Sequence, residues 1–360
     1  MGKDSSIPQH KTVYPIGMLD FFKGIGMLLI ILAHCRAFGA KNRFFDRAVD
    51  AMSSGAVLFF QIAAGFGIRK MRPVKMLKKT AKENLLPYAF CGICAVILKL
   101  PVRLLFRQHT FRQALKETAG IAAAFFTGTM RNPKILFGIP NGSVGPAWFL
   151  PALFWGLQIV NLILRIGDKR KEIAAAVVLT GIGRILSHMK FGYFCIDRGF
   201  AAVLPIYLGY LFRREHWLDI IPQWMSMLLA ACLGICGAAV FLASPDSPWF
   251  IRAGGKNLTI YSEALLMLMF SVMYCGKKRA ALAQMICYIG KNSFLFLIVH
   301  TIEYECLPWG GLIRMLGWQE IPELGNMLCF ALRAACCAAA VRLLERPFHR
   351  MITGRGDATS

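Results

Sequence analysis

The chain has 360 residues, 56% of them apolar and only 17% charged, with a mean hydropathy of +0.52. Soluble domains sit nearer roughly 45–50% apolar and about 25% charged, so this composition excludes a soluble enzyme, a disordered chain and a disulfide-knit mini-domain. Its 42 Lys and Arg against 19 Asp and Glu, a net charge of +23, fit basic loops beside anionic headgroups; no nucleic-acid-binding motif accompanies them.

Apolar runs fall at 16–35, 51–68, 85–102, 145–164, 172–189, 199–212, 222–243, 257–275, 285–303 and 326–345. A crossing needs about 20 apolar residues, so the pattern predicts an all-α polytopic bundle of about ten spanning helices. A cytoplasmic segment at 1–15, one membrane domain at 16–345 and a cytoplasmic tail at 346–360 follow. Trp148, Trp155, Trp217, Trp224, Trp249, Trp309 and Trp318 mostly lie at the ends of these runs, where an amphipathic ring prefers the headgroup level. With both termini inside, the inner loops carry about twice the density of Lys and Arg of the outer ones, the sense that the positive-inside rule requires. The densest cluster spans Arg69 to Lys82. A plasma-membrane protein with cytoplasmic termini is expected.

Two segments need separate treatment. The first run contains Asp20 and Lys23 and lacks a small-residue cleavage pattern, so it reads as an anchored helix, not a signal peptide. In 103–143, Phe111, Leu115, Ala119, Ala122 and Phe126 recur at helical spacing with Arg112 and Lys116 on the other face. Its apolar core is too short to cross, which predicts an amphipathic helix lying in the interface.

Of the 12 cysteines, most sit within apolar stretches, where a thiol behaves as a small hydrophobe. Cys91 and Cys94 have CxxC spacing but no second pair and no nearby His, so no metal site is expected. P-loop, GxSxG and HExxH motifs are absent from the sequence.

Ionisable groups inside hydrocarbon are costly and point to function. The first run holds three: Asp20, Lys23 and His34. Asp20 and Lys23 are three apart and share a face. His34 follows Lys23 by eleven residues, about three turns, and so stands on the same stripe about 16 Å further along. The bland account is that Lys23 neutralises Asp20 or snorkels, and His34 caps the helix. Three such groups on one stripe favour a polar track instead.

Asp20-x-x-Lys23-x10-His34 resembles the opening helix of the acyltransferase 3 family of integral-membrane acyltransferases. Leu58-Phe59-Phe60 to Ala64-Gly65-Phe66 is similar to its second helix. Trp148-Phe149-Leu150-Pro151 resembles its Trp-Phe-Leu segment, and Gly290-Lys291-Asn292-Ser293 to His300 its late Gly-x-x-Ser…His helix. The resemblance runs from residue 14 to about 349. It implies a ten-helix bundle that moves an acyl group, commonly acetyl from cytoplasmic acetyl-CoA, to a hydroxyl of an extracytoplasmic carbohydrate or glycoconjugate. The essential basic residue and His of that family map onto Lys23 and His34. This chain has Lys where a common version has Arg, losing the bidentate fork, and Ala64 where many relatives have Ser. An SGNH-type esterase domain is not expected after the last run.

Acyl transfer to an alcohol needs a base near the hydroxyl, and imidazole, with a pKa near about 6.5, suits neutral pH. His34 is therefore expected as the general base, Lys23 as a charge stabiliser on the acyl-CoA side, and Asp20 as the group that sets Lys23. Expected substrate contacts, each with a structural alternative, are five. His300 orients the acceptor or caps its helix. Asn292 and Ser293 bind substrate or join helices. Glu263 with Tyr261 binds sugar hydroxyls, or Glu263 pairs with Arg184 or Arg333. Trp148 stacks on a sugar or anchors the interface. The basic cluster at 69–84 draws donor phosphates or merely signals topology.

No permanently bound cofactor is expected; acyl-CoA is a substrate. A transporter or flippase of a sugar or lipid-linked substrate competes with this reading and should show paired discontinuous helices and a repeat axis, though no internal repeat is visible in the sequence. An acyltransferase should show a tunnel from a basic mouth to His34. The membrane half of an assembly without chemistry of its own would leave Lys23 and His34 sealed or facing lipid.

Overall fold

A computed structural model describes residues 17–35, 55–106, 110–129, 135–136, 139–140, 142–189, 192–217, 222–243, 249–275 and 281–353. The expected inner segments 1–15 and 276–279, the outer loop 36–50 and the end of the tail lie outside the described residues. Among the described residues the regular structure is helical apart from a two-residue antiparallel ladder, β1 (Ile135–Leu136) with β2 (Ile139–Pro140).

In chain order the first half comprises α1 (Met18–Ala33), α2 (Ala56–Gly67), α3 (Pro73–Thr80), α4 (Leu86–Leu105), α5 (Phe111–Thr127), α6 (Phe149–Ile163) and α7 (Lys169–His188). The second half comprises α8 (Ile196–Ala201), α9 (Val203–Arg214), α10 (Gln223–Ala243), α11 (Trp249–Cys275), α12 (Ala281–Lys291), α13 (Ser293–Cys306), α14 (Trp309–Met315) and α15 (Pro322–Thr353). A π turn, Ala81–Leu85, joins α3 to α4.

Local chemistry fixes several boundaries. Pro73 opens α3 where its missing N–H costs nothing. Thr110 and Gln113 form a capping box at the start of α5, and Asp168 caps α7 by accepting from the Lys171 N–H at 3.0 Å. Gly128, at φ +66°, ends α5 in the left-handed conformation that a side chain resists.

Each of the ten apolar runs holds a helix, and by length and apolarity three to five spans qualify among the described residues. Among the described residues, Pro73–Leu105, Gly145–Ile163 and Leu324–Arg350 qualify singly. Two bent pairs, Tyr193–Ala201 with Val203–Arg214 (45°) and Ala281–Lys291 with Ser293–Cys306 (77°), raise the number to five. α1 and α2 have 16 and 12 residues, and α7 opens on Lys169, Arg170, Lys171 and Glu172. The expected continuous run at 285–303 is thus two helices broken at Asn292.

Apolar side chains also cover the outside. Ile93 and Ile97 of α4 and Leu343 of α15 are exposed, as a bilayer rather than water permits. On α5 the stripe Phe111, Leu115 and Phe126 is exposed, while Ala114, Thr118, Ile121 and Phe125 pack inward. Tyr88 of α4 ties that inner face down by donating to the Phe125 carbonyl at 2.7 Å.

At the centre, α1 is held on two sides. Phe22 stacks on Phe59 of α2, with centroids 4.5 Å apart. On the other side Gly24 and Gly290 bring the backbones of α1 and α12 together: a Cβ at Gly290 would overlap the Asp20 carbonyl, and one at Gly24 the Ile286 carbonyl.

Candidate active site

The polar stripe of α1 meets α13 at both ends. Lys23 and Ser293 line one cavity, and His34 meets His300, two turns after Ser293 on α13. The structure therefore brings His34, Lys23, Asp20, Ser293 and His300 to one α1–α13 seam.

At the His34 end the hydrogen bonds have a direction. His34 Nδ1 lies 2.7 Å from the Ile30 carbonyl oxygen and 3.3 Å from His300 Nε2. A carbonyl only accepts, so the proton sits on His34 Nδ1. His300 Nδ1 lies 2.6 Å from Glu303 Oε1. A carboxylate also accepts, so His300 is protonated at Nδ1 and offers its Nε2 lone pair to His34. His34 Nε2 remains as a bare lone pair, with no hydrogen-bond partner among the described residues. The arrangement is a base backed by a second imidazole and then by a carboxylate.

Arg333, on α15, locks the far end. Its Nε and Nη2 donate to Glu303 Oε1 at 3.0 and 2.7 Å, and its Nη1 donates to the carbonyl oxygen of His34 at 2.6 Å. Trp309 Nε1 donates to Glu303 Oε2. Glu303 and Arg333 are 6% and 2% exposed and His300 is fully buried; a buried ion pair survives only with such complete bonding. The Trp309 and Tyr304 rings lie 5.2 and 5.6 Å from the guanidinium. The exposed Tyr304 ring also meets the His34 ring edge-on at 4.9 Å.

His300, Glu303 and Cys337 stand close enough to hold a metal ion, but the donor set does not fit one. Both Glu303 oxygens already accept from Arg333, His300 or Trp309. An added cation would also face the guanidinium charge.

At the other end lies a two-part cleft. One cavity, of about 440 Å³, is lined by Asp20, Lys23, Phe60, Ala64, Leu153 and Ser293, among others. The second, of about 360 Å³, shares Ala64, Leu153 and Phe294 with it and adds Arg69, Lys79, Asn84, Lys291, Asn292 and His349. Lys23 and Asp20 are paired at 3.0 Å and half-buried. Asn292, at the break between α12 and α13, donates Nδ2 to the Tyr288 carbonyl at 3.2 Å. Among the described residues the expected tunnel to His34 is not formed: two neighbouring cavities lie between the basic rim and Lys23. The lining of both stops short of His34, and Met27 and Ile31, between Lys23 and His34 on the same stripe, are fully buried.

The remaining expected residues lie elsewhere. The Glu263 carboxylate accepts from the backbone of Gly55, and Tyr261 is the electrostatic neighbour of Arg184. The suggested Glu263–Arg333 pair is corrected: Arg333 bonds Glu303. Trp148 lies edge-on to Phe149, with the Arg198 guanidinium 5.9 Å from its ring. The expectations that Glu263, Tyr261 and Trp148 touch substrate gain no contact with the His34 cluster.

The gathering of Glu303, Arg333, Tyr304 and Trp309 around His300 was not anticipated from sequence. Two signals point to them. Glu303 is three residues after His300 and thus on its face, and Arg333 stands alone inside Phe330-Ala-Leu-Arg333-Ala-Ala-Cys-Cys337.

With this geometry in place, comparison with known families is decisive. A family model described as an acyltransferase domain, that of acyltransferase 3, matches residues 16–340. The chain belongs to the acyltransferase 3 family. It is a membrane protein with an acyltransferase domain over nearly its whole length, and the family match spans both the Lys23 cleft and the His34–His300–Glu303 chain. Arg333 also falls inside the matched region. No curated protein and no solved structure is significantly similar to the chain.

Proposed function

We propose that the protein transfers an acyl group, acetyl in the simplest case, from acyl-CoA to a hydroxyl of an extracytoplasmic carbohydrate or glycoconjugate. The observation that carries this reading is the directed hydrogen-bond chain that leaves His34 Nε2 bare. In the proposed step, the acceptor hydroxyl gives its proton to that nitrogen while its oxygen attacks the thioester carbonyl. The carbon–sulfur bond then breaks, and the leaving thiolate takes the proton back from His34. The transient imidazolium charge is shared through His300 toward Glu303, as a buried carboxylate does for a catalytic His elsewhere.

Lys23, at the inner end of the cleft, serves the donor. The basic rim of Arg69, Lys79 and Lys291 supports entry of a phosphorylated donor from that side. The buried side chains of Met27 and Ile31 separate the two halves, so transfer in this reading requires their packing to open. Ten crossings, a plasma-membrane location and cytoplasmic termini complete the proposal; the loop-charge bias supports them.

The test is mass spectrometry of surface glycans from cells with the gene deleted and then restored as wild type or His34→Gln. An acetyl ester lost on deletion and restored only by wild type is the expected result. Full restoration by His34→Gln, at equal membrane levels, would refute the assignment. A second reading, a transporter of a sugar or lipid-linked substrate, draws on the two broken helix pairs. It predicts substrate movement by the purified protein with no acyl donor present.

A further inference from the structure

We infer that Arg184, Arg198 and Tyr261 form a subsite for an anionic group, a phosphate or a carboxylate, carried by the acceptor. This rests on the acyl-transfer reading above and narrows its acceptor from any glycan to a charged one. Arg184 lies on α7, Arg198 on α8 and Tyr261 on α11. Both guanidiniums are half-buried, and each is an electrostatic neighbour of the other. Arg184 has no hydrogen bond and no ion pair among the described residues. Its other electrostatic neighbour is the Tyr261 phenol, whose hydroxyl also has no hydrogen-bond partner among them. Two guanidiniums held close repel each other, and burying one without a counter-ion is costly.

The carboxylate at the site is already engaged. Asp197, 4% exposed, accepts from Ser187 Oγ at 2.6 Å and lies 3.5 Å from Arg198 Nε. The Arg198 guanidinium stands 5.9 Å from the Trp148 ring, and its Nη nitrogens have no hydrogen bond among the described residues. Asp197 answers one of the two positive charges and leaves the other. Two open nitrogen forks and a phenol O–H suit the planar or tetrahedral oxygens of a carboxylate or phosphate. The site also has a physical link to His34. Trp148 closes the 3₁₀ turn Gly145–Trp148. At the start of that turn, a Cβ on Gly145 would lie 2.7 Å from the Glu305 carboxylate and 3.5 Å from the Tyr304 ring. That ring meets His34 edge-on at 4.9 Å. A 3₁₀ turn rises about 2 Å per residue, so about 6 Å separates Trp148 from the wall beside Tyr304. An acceptor offering a hydroxyl to His34 Nε2 can follow that wall, with the two arginines beyond Trp148. A phospholipid headgroup reached by a snorkelling Arg184 is the competing source of the anion. It accounts for Arg184 alone, whereas Arg198 is held against Trp148 and Asp197.

The experiment identifies by mass spectrometry the glycan that loses its ester on deletion of the gene, then assays transfer to that glycan by the full chain in maltoside micelles. The glycan is expected to carry phosphate or carboxylate. Arg184→Gln and Arg198→Gln should each raise the acceptor KM about tenfold, the worth of a charge-assisted hydrogen bond, with kcat and the donor KM nearly unchanged. Amidating the glycan's carboxylates, or hydrolysing its phosphates, should raise the wild-type KM by a similar factor and leave the variants unaffected. If Arg184→Gln does not give folded protein, Arg184→Lys, which keeps the charge and loses the fork, should show an intermediate KM. A neutral ester-bearing glycan, or acceptor KM values that these variants leave alone, overturns the subsite and leaves the transferase reading intact. Loss of a co-purified phospholipid from Arg184→Gln in native mass spectrometry, with the acceptor KM unchanged, assigns the anion to a headgroup and also overturns it. No ester lost on deletion overturns the transferase reading and this inference together.

Discussion

Arg333 donates to the main-chain oxygen of His34 at 2.6 Å while gripping Glu303 Oε1 through two further nitrogens. One side chain thus fixes the position of the proposed base and neutralises the carboxylate behind it. Arg333→Met leaves Glu303 charged and buried, and removing one partner of such a pair costs about 3–5 kcal/mol. Thermal unfolding in detergent should show that loss, and adding Glu303→Gln to the same chain should recover much of it. A single variant as stable as wild type would contradict the pairing.

His34→Gln and His300→Gln separate the roles along the hydrogen-bond chain. Loss of a general base lowers turnover by about 10²–10⁴-fold, so His34→Gln should abolish measurable transfer at normal membrane levels. His300→Gln keeps His34 in place but removes the route to Glu303. Turnover should fall with the KM for donor unchanged. A rise in donor KM instead would place His300 in the donor site.

At the other end of α1, the Asp20–Lys23 pair is half-exposed, and such pairs contribute less than about 1 kcal/mol. Asp20→Asn should therefore leave the melting temperature nearly unchanged. Lys23→Met should raise the KM for donor several-fold, and Lys23→Arg should largely restore it. Equal kinetics for all three variants would remove Lys23 from the donor route.

The seam between α1 and α12 depends on absent side chains. Gly290→Ala drives a methyl into the Asp20 carbonyl, and overpacking of this kind costs about 1–3 kcal/mol or more. Gly181, in α7, has open space where a Cβ would sit. Gly181→Ala should stabilise by up to about 1 kcal/mol through helix propensity. The opposite signs, read by thermal unfolding, check the seam.

Local patterns carried much of this arrangement. Helical spacing from Lys23 to His34 was visible because a stripe needs only one element, and both residues do meet α13. The helical spacing from Phe111 to Phe126 was visible for the same reason, and a helix spans Phe111–Thr127. What joins separate elements was not. Glu303 and Arg333 are 30 residues apart, and no spacing rule links a residue on α13 to one on α15. The break at Asn292 was hidden too, since Tyr288 to His300 reads as one apolar run with no proline.

The 77° break at Asn292 leaves α13 a short, separate rod. Its first residue, Ser293, forms part of the wall beside Lys23, and His300 sits about 10 Å further along the same rod. Ser293 and His300 are thus fixed relative to one another by a single turn-by-turn run of helix. The wall beside Lys23 and the buried imidazole therefore ride on one rigid element.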